Sequence, residues 1–145
     1  MQAKNRFLFV IFIILSLLSS GQQKYSIVIH GGAGVMSKAK MSEEKRTEYT
    51  AKLKEALELG EMLLKEGTKA SDVVVKVINV MEDSPLFNAG KGAVFTHKGK
   101  NELDASIMVG NTLNAGAIAG VRNIKNPINA AFEVMNNSEH VFLSG

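Results

Sequence analysis

Residues 26–34 read Ser-Ile-Val-Ile-His-Gly-Gly-Ala-Gly, and the rest of the chain is best understood outward from them. The β-branched run Ile27–Ile29 suits a buried strand, and it stops at His30 followed by Gly31, Gly32 and Gly34. Glycines lack Cβ, so the backbone there can turn sharply or approach another group closely. The stretch predicts a strand that delivers bare N–H and C=O groups to one point, a common way to build part of an active site. Two readings stand for His30: contact with a ligand, or positioning of the loop backbone.

Upstream, Lys4 and Arg6 precede the run Phe7–Leu18, which is apolar apart from Ser16, and Ser19, Ser20 and Gly21 follow. This three-part pattern is that of a secretory signal, with a core shorter than the roughly 20 apolar residues of a membrane span. Residues 1–21 are therefore expected to be a signal peptide. Residues 22–145 would form the mature chain, exported to the periplasm or secreted, with no stable membrane anchor after cleavage. An uncleaved N-terminal anchor is the competing reading. Losing Lys4 and Arg6 from 17 basic residues leaves 15 against 14 acidic ones. No dense Lys/Arg block accompanies aromatic residues, so nucleic-acid binding has no electrostatic footprint. The absence of cysteine excludes disulfides, thiolate metal sites and Cys nucleophiles.

Downstream, Val35–Met41 reads as a loop and Ser42 as an N-cap, with Glu43 and Glu44 on the first helical turn where the dipole favours them. Tyr49, Leu53, Ala56, Leu57, Met62 and Leu63 recur at helical spacing up to Glu66, and Gly67 stops the helix. Thr68 or Ser71 is the expected cap of a second helix carrying Val73, Val74, Val77, Val80 and Met81, ended by Asp83-Ser84-Pro85. Ala93–Thr96 reads as a strand and His97–Asn101 as a polar turn. Glu102–Met108 alternates, placing Leu103, Ala105 and Ile107 on one face and Asp104, Ser106 and Met108 on the other. After the turn Gly110-Asn111-Thr112, Leu113–Val121 is a small-residue strand that permits close contact with a helix. Asn126-Pro127 starts a third helix with Ala130, Ala131, Val134 and Met135 inward, and His140–Leu143 opens another apolar piece. A helix pair against part of a sheet is one side of a layered α+β arrangement.

Several residues carry chemical potential. Between Pro85 and Val94, Asn88 is the one neutral polar side chain of a loop anchored by Leu86 and Phe87. Its amide suits a substrate amine or carboxylate, or it caps a turn. Glu102 and Asp104 lie two apart, as a pair for acid/base work or as a solvated strand face. His30, His97 and His140 fall on different elements without metal spacing. A histidine-glycine-glycine turn also occurs in lipases, but the G-x-S-x-G nucleophile is missing, as are both Gly-rich phosphate-loop patterns.

Taken in order, Ile27–Gly34, Pro85–Gly90 and Glu102–Met108 resemble the isoaspartyl peptidase/L-asparaginase family of N-terminal-nucleophile hydrolases, the plant-type asparaginases. Leu113–Ala117 and Asn126-Pro127 extend the resemblance to nearly all of Ile27–Leu143. It implies a four-layer αββα sandwich, of which this chain holds the first part, made as a precursor that cuts itself into two subunits. The threonine exposed at the start of the second subunit is the nucleophile. Its own α-amino group, with a pKa near ~8, serves as base. The substrate would be L-asparagine or an isoaspartyl dipeptide, with no organic cofactor, in an (αβ)2 assembly.

By the same resemblance, Asn88 corresponds to the family's active-site, substrate-binding asparagine. Gly31 corresponds to the glycine lying against the catalytic threonine. The carbonyls of Met81, Glu82, Ser84, Phe87, Ala89 and Lys91 correspond to a structural Na+ loop, whose oxygen-only ligation suits a hard cation. Met108-Val109-Gly110 departs from the family's Met-Asp-Gly. No threonine here matches the nucleophile motif, so the polypeptide alone is expected to be inactive, awaiting a β subunit or C-terminal part. The alternatives are a non-catalytic secreted binding or structural module derived from that fold, and a glycosylasparaginase-type amidase.

Overall fold

The computed structural model describes residues 24–33 and 41–145. The expected signal peptide, Gly34 and all but the last residue of the Val35–Met41 loop lie outside the described residues. The first helix, α1, spans Glu43–Lys65, with the Ser42 hydroxyl accepting the Lys45 N–H at 3.2 Å as an N-cap. Its end is a Schellman motif: Gly67, at φ +81°, donates to the Leu64 carbonyl, and Thr68 donates to that of Leu63. The second helix, α2 (Ala70–Glu82), starts from Lys69 without a side-chain cap. The expectation of a Thr68 or Ser71 cap is corrected accordingly.

The strand β1 (Leu103–Met108) pairs antiparallel with β2 (Ala115–Val121). The helix α3 (Pro127–Asn137) then crosses over to β3 (Phe142–Ser144), which lies parallel to β2 on its other edge. The sheet order is β1-β2-β3. Its register slips between Leu103 and Ala105, where Asp104 accepts the Gly120 N–H at 2.8 Å. The alternation of β1 is as expected, with Leu103 and Ile107 buried and Asp104, Ser106 and Met108 exposed.

Two cores meet at α2. On one side Val75 joins Leu103, Ile107, Ile118 and Val121 of the sheet and Ile128, Ala131 and Val134 of α3. On the other, Val73 and Val77 pack with Ala56 of α1, covered by Ile27, Ile29, Leu63 and Met81. A helix serving two layers needs apolar residues on two sides, so Val75 is buried while Val74 stays exposed. Leu57 and Met62, expected inward on α1, are also exposed. The small-residue strand does bring β2 close to α3. A Cβ at Gly116 would lie 2.5 Å from the Met135 nitrogen and nearer still to the Ala131 carbonyl oxygen.

Two expected strands are absent among the described residues. Ile27 and Ile29 pack inward while Val28 is 92% exposed, which is a strand's alternation, but Ile27–Ile29 has no ladder partner. In Ala93–Thr96, the Ala93 carbonyl and both Val94 backbone groups are taken by side chains, and Thr96 bonds within the following turn. Asn88 accepts from Val94 N–H, and the Asn101 amide donates to the Ala93 and Val94 carbonyls. A strand whose ladder groups are already bonded to side chains cannot recruit a neighbour.

Candidate active-site cleft

Phe87 organises the cleft. It is buried at the turn after α2 and meets Tyr49 of α1 edge-on, with ring centroids 5.7 Å apart. Gly31 sits over the same ring. A Cβ there would fall 3.5 Å from Phe87 Cε1 and 3.3 Å from a Leu53 methyl, so the missing side chain lets the glycine turn settle on α1 and the loop together. His30 Nδ1 accepts the Gly32 N–H at 3.1 Å, which bends the turn locally. The backbone-positioning reading of His30 is therefore realised.

These contacts border an open cleft of about 930 Å³. His30, Gly31 and Asn88 all line it, together with Ser42, Lys45 and Tyr49 of α1. Asn88 holds its loop closed, its Oδ1 accepting the Val94 N–H at 2.9 Å. The turn-capping reading is thus correct for the oxygen, which leaves the amide NH2 as the group available to a ligand. Glu102 and Asp104 are not brought here: Glu102 pairs with Arg122 across the strands, and Asp104 serves the β2 irregularity. His97 and His140 are likewise absent from the lining.

The loop after α2 is anchored to α3 by acids. Glu82 is 3% exposed, and its Oε1 accepts the Ile128 N–H at 3.1 Å, so it caps the amino end of α3. Asn126, the expected cap, instead donates to Asp83 at 3.0 Å. Burial pushes the Glu82 carboxyl above the ordinary range, with the Ile128 hydrogen bond opposing it. The Lys125 ammonium, with help from Asn126, holds the Asp83 carboxyl below it.

The segment 82–92 also folds back on itself. A Cβ at Gly90 would sit 2.5 Å from the Glu82 carbonyl oxygen, and one at Gly92 would sit 2.8 Å from that of Pro85. The Phe87 and Ala89 carbonyls each accept one backbone N–H, which leaves each a free lone pair. Backbone carbonyl oxygens are of the donor type that a hard cation takes. Among the described residues no group of three or more His, Cys, Asp or Glu side chains forms a metal cluster.

Against known proteins, a family model described as asparaginase matches residues 23–145. The chain belongs to the asparaginase family. It is 48% identical over 122 residues to an isoaspartyl peptidase of Salmonella typhimurium, covering 84% of this chain and 39% of that protein. It is 47% identical over 120 residues to a plant-type L-asparaginase of Pyrococcus horikoshii, with shares of 83% and 38%. To the isoaspartyl peptidase/L-asparaginase of Danio rerio it is 42% identical over 118 residues, with shares of 81% and 36%. The chain thus spans under two-fifths of the length of these relatives.

In this asparaginase-family chain the glycine turn and the Asn88 loop are legible in the sequence, whereas the α1 wall of the cavity is not. Ser42, Lys45 and Tyr49 recur at i, i+3 and i+7, a spacing that places them on one helix face. The spacing alone does not mark a cleft, because Ser42 also caps α1 and Tyr49 also packs on Phe87.

Proposed function

We propose that this chain supplies part of the active site of an amidohydrolase acting on the side-chain amide of L-asparagine or the β-peptide bond of isoaspartyl dipeptides. The observation that carries the reading is the meeting of Gly31 and Asn88 on one cavity across Phe87. The curated relatives' names support the substrate class. The nucleophile is a threonine contributed by the remainder of the complete protein, freed at its amino end by self-cleavage.

The threonine hydroxyl oxygen adds to the amide carbon, and its proton passes to the threonine's own amine. The amine returns that proton to the leaving nitrogen as the C–N bond breaks, releasing ammonia or the second amino acid. Water then adds to the ester, and aspartate leaves as the threonine hydroxyl is restored. Asn88 contributes an amide donor to the bound substrate, and the backbone at Gly31 packs against the nucleophile.

In the same reading, the mixed helix–strand unit is one side of a four-layer αββα sandwich, and the complete protein is exported and assembles as (αβ)2. The carbonyls of Met81, Glu82, Ser84, Phe87, Ala89 and Lys91 would hold a sodium ion, which would stiffen the loop carrying Asn88. The test is turnover by the complete, self-processed polypeptide: ammonia release from asparagine and amino-acid release from a β-aspartyl dipeptide. Folded, processed protein that hydrolyses neither overturns the proposal.

A further inference from the structure

The α1 wall of the cavity has a charge pattern that cleavage of asparagine does not require. Among the described residues that line it, the polar side chains are His30, Ser42, Lys45, Tyr49 and Asn88, with no carboxylate. Neighbouring cations on α1 are engaged: Arg46 pairs with Glu43, Lys52 with Glu55 and Lys54 with Glu58. Lys45 takes part in no ion pair among the described residues, and segments 1–23 and 34–40 contain no Asp or Glu that could provide one. An uncommitted ammonium therefore borders a cleft walled by hydrogen-bond donors, a setting that favours an anion.

Asparagine and an isoaspartyl dipeptide differ at the leaving nitrogen. In asparagine it departs as ammonia, whereas in the dipeptide it belongs to an amino acid bearing its own α-carboxylate. Lys45 on α1 and Asn88 on the loop after α2 line the same cleft. We propose that Lys45 is a specificity-determining residue whose ammonium receives the leaving residue's carboxylate and so favours β-aspartyl dipeptides over asparagine. The inference rests on the hydrolase reading above and adds to it a subsite for the departing half of the substrate.

The experiment compares the complete, processed enzyme on β-aspartyl-leucine with a free carboxylate and on the same dipeptide as its C-terminal amide, with asparagine alongside. The wild type is expected to favour the acid by about tenfold in kcat/KM, mostly through KM, equivalent to about 1.4 kcal/mol. In Lys45→Gln the acid-to-amide ratio falls to near one, and Lys45→Arg retains most of it. A wild-type ratio near one overturns the inference without needing any variant, and so does a Lys45→Gln ratio equal to the wild type's. If asparagine is hydrolysed in those cases, the hydrolase reading survives. Failure to hydrolyse all three substrates removes both.

Discussion

Gly92→Ala tests whether the Asn88 loop is shaped by backbone crowding. A Cβ at Gly92 would lie 2.8 Å from the Pro85 carbonyl oxygen and 2.9 Å from its carbon, and closer again to the Phe87 carbonyl oxygen. Comfortable contact needs roughly 3.4 Å, so the Pro85 oxygen alone must retreat by about 0.6 Å. The obstructing atoms are backbone, and they cannot swing away as a side chain would. The retreat would disturb Phe87, which is buried against Tyr49 and beneath Gly31, and would shift Asn88 next to it. Overpacking of this kind costs about 1–3 kcal/mol. Gly110→Ala is the matched control: nothing lies within 4 Å of its added Cβ, and Gly110 is not among the positive-φ glycines. There the loss of unfolded-chain freedom should stabilise by about 0.4–1 kcal/mol. Urea unfolding of the complete protein reads both. A Gly92→Ala midpoint equal to wild type, or a Gly110→Ala variant less stable than Gly92→Ala, would refute the reasoning.

Asn88→Asp keeps an oxygen for the Val94 N–H and removes the amide donor, whereas Asn88→Ala removes both. Stability should hardly change in the first and drop by about 1 kcal/mol in the second, with hydrolysis reduced at least about tenfold in each. Denaturation midpoints set beside kcat/KM check this. Glu82 has its pKa raised on folding, so the native state holds its proton longer than the unfolded chain does. Its contribution therefore becomes less favourable as pH rises from the usual carboxylate value through the raised one. Glu82→Gln keeps an acceptor for the Ile128 N–H without the charge, and should gain on wild type between pH 4 and pH 7. Urea midpoints at both pH values that moved the other way would contradict that. Replacing sodium by choline at constant ionic strength should lower the thermal midpoint of the complete protein. Saturation at about 100 times Kd contributes roughly 2.7 kcal/mol, and an unchanged midpoint would remove the sodium loop.

Local signals carried much of the fold. Ser42 and Gly67 marked helix boundaries because caps and stops depend on hydrogen bonds within one turn, and Pro127 marked the start of α3 because its fixed φ suits the first helical position. The alternation of Leu103–Met108 named its buried face for the same reason, since side-chain direction in a strand follows from the residue count. That Gly31 and Asn88 belong to one site was implied only by the family resemblance, and both line the same cavity.

The misreadings occurred where remote partners decide. Ile27–Ile29 and Ala93–Thr96 had strand composition, but a strand exists only if a neighbour completes its ladder. In the second case Asn88 and Asn101 took the backbone groups first. Glu82 replaced Asn126 as the cap of α3 from 46 residues away, a role that no local pattern encodes. The same limit applies to Lys45: its identity and spacing were written in the chain, but its place on the cavity that Asn88 also lines came with the packing of Tyr49 against Phe87. Short-range chemistry determined the helices and the buried face of β1, but not every face: Val74, Leu57 and Met62 are exposed. Long-range contact alone determined which faces share a cleft, because burial and ladder bonding are settled between residues far apart in sequence.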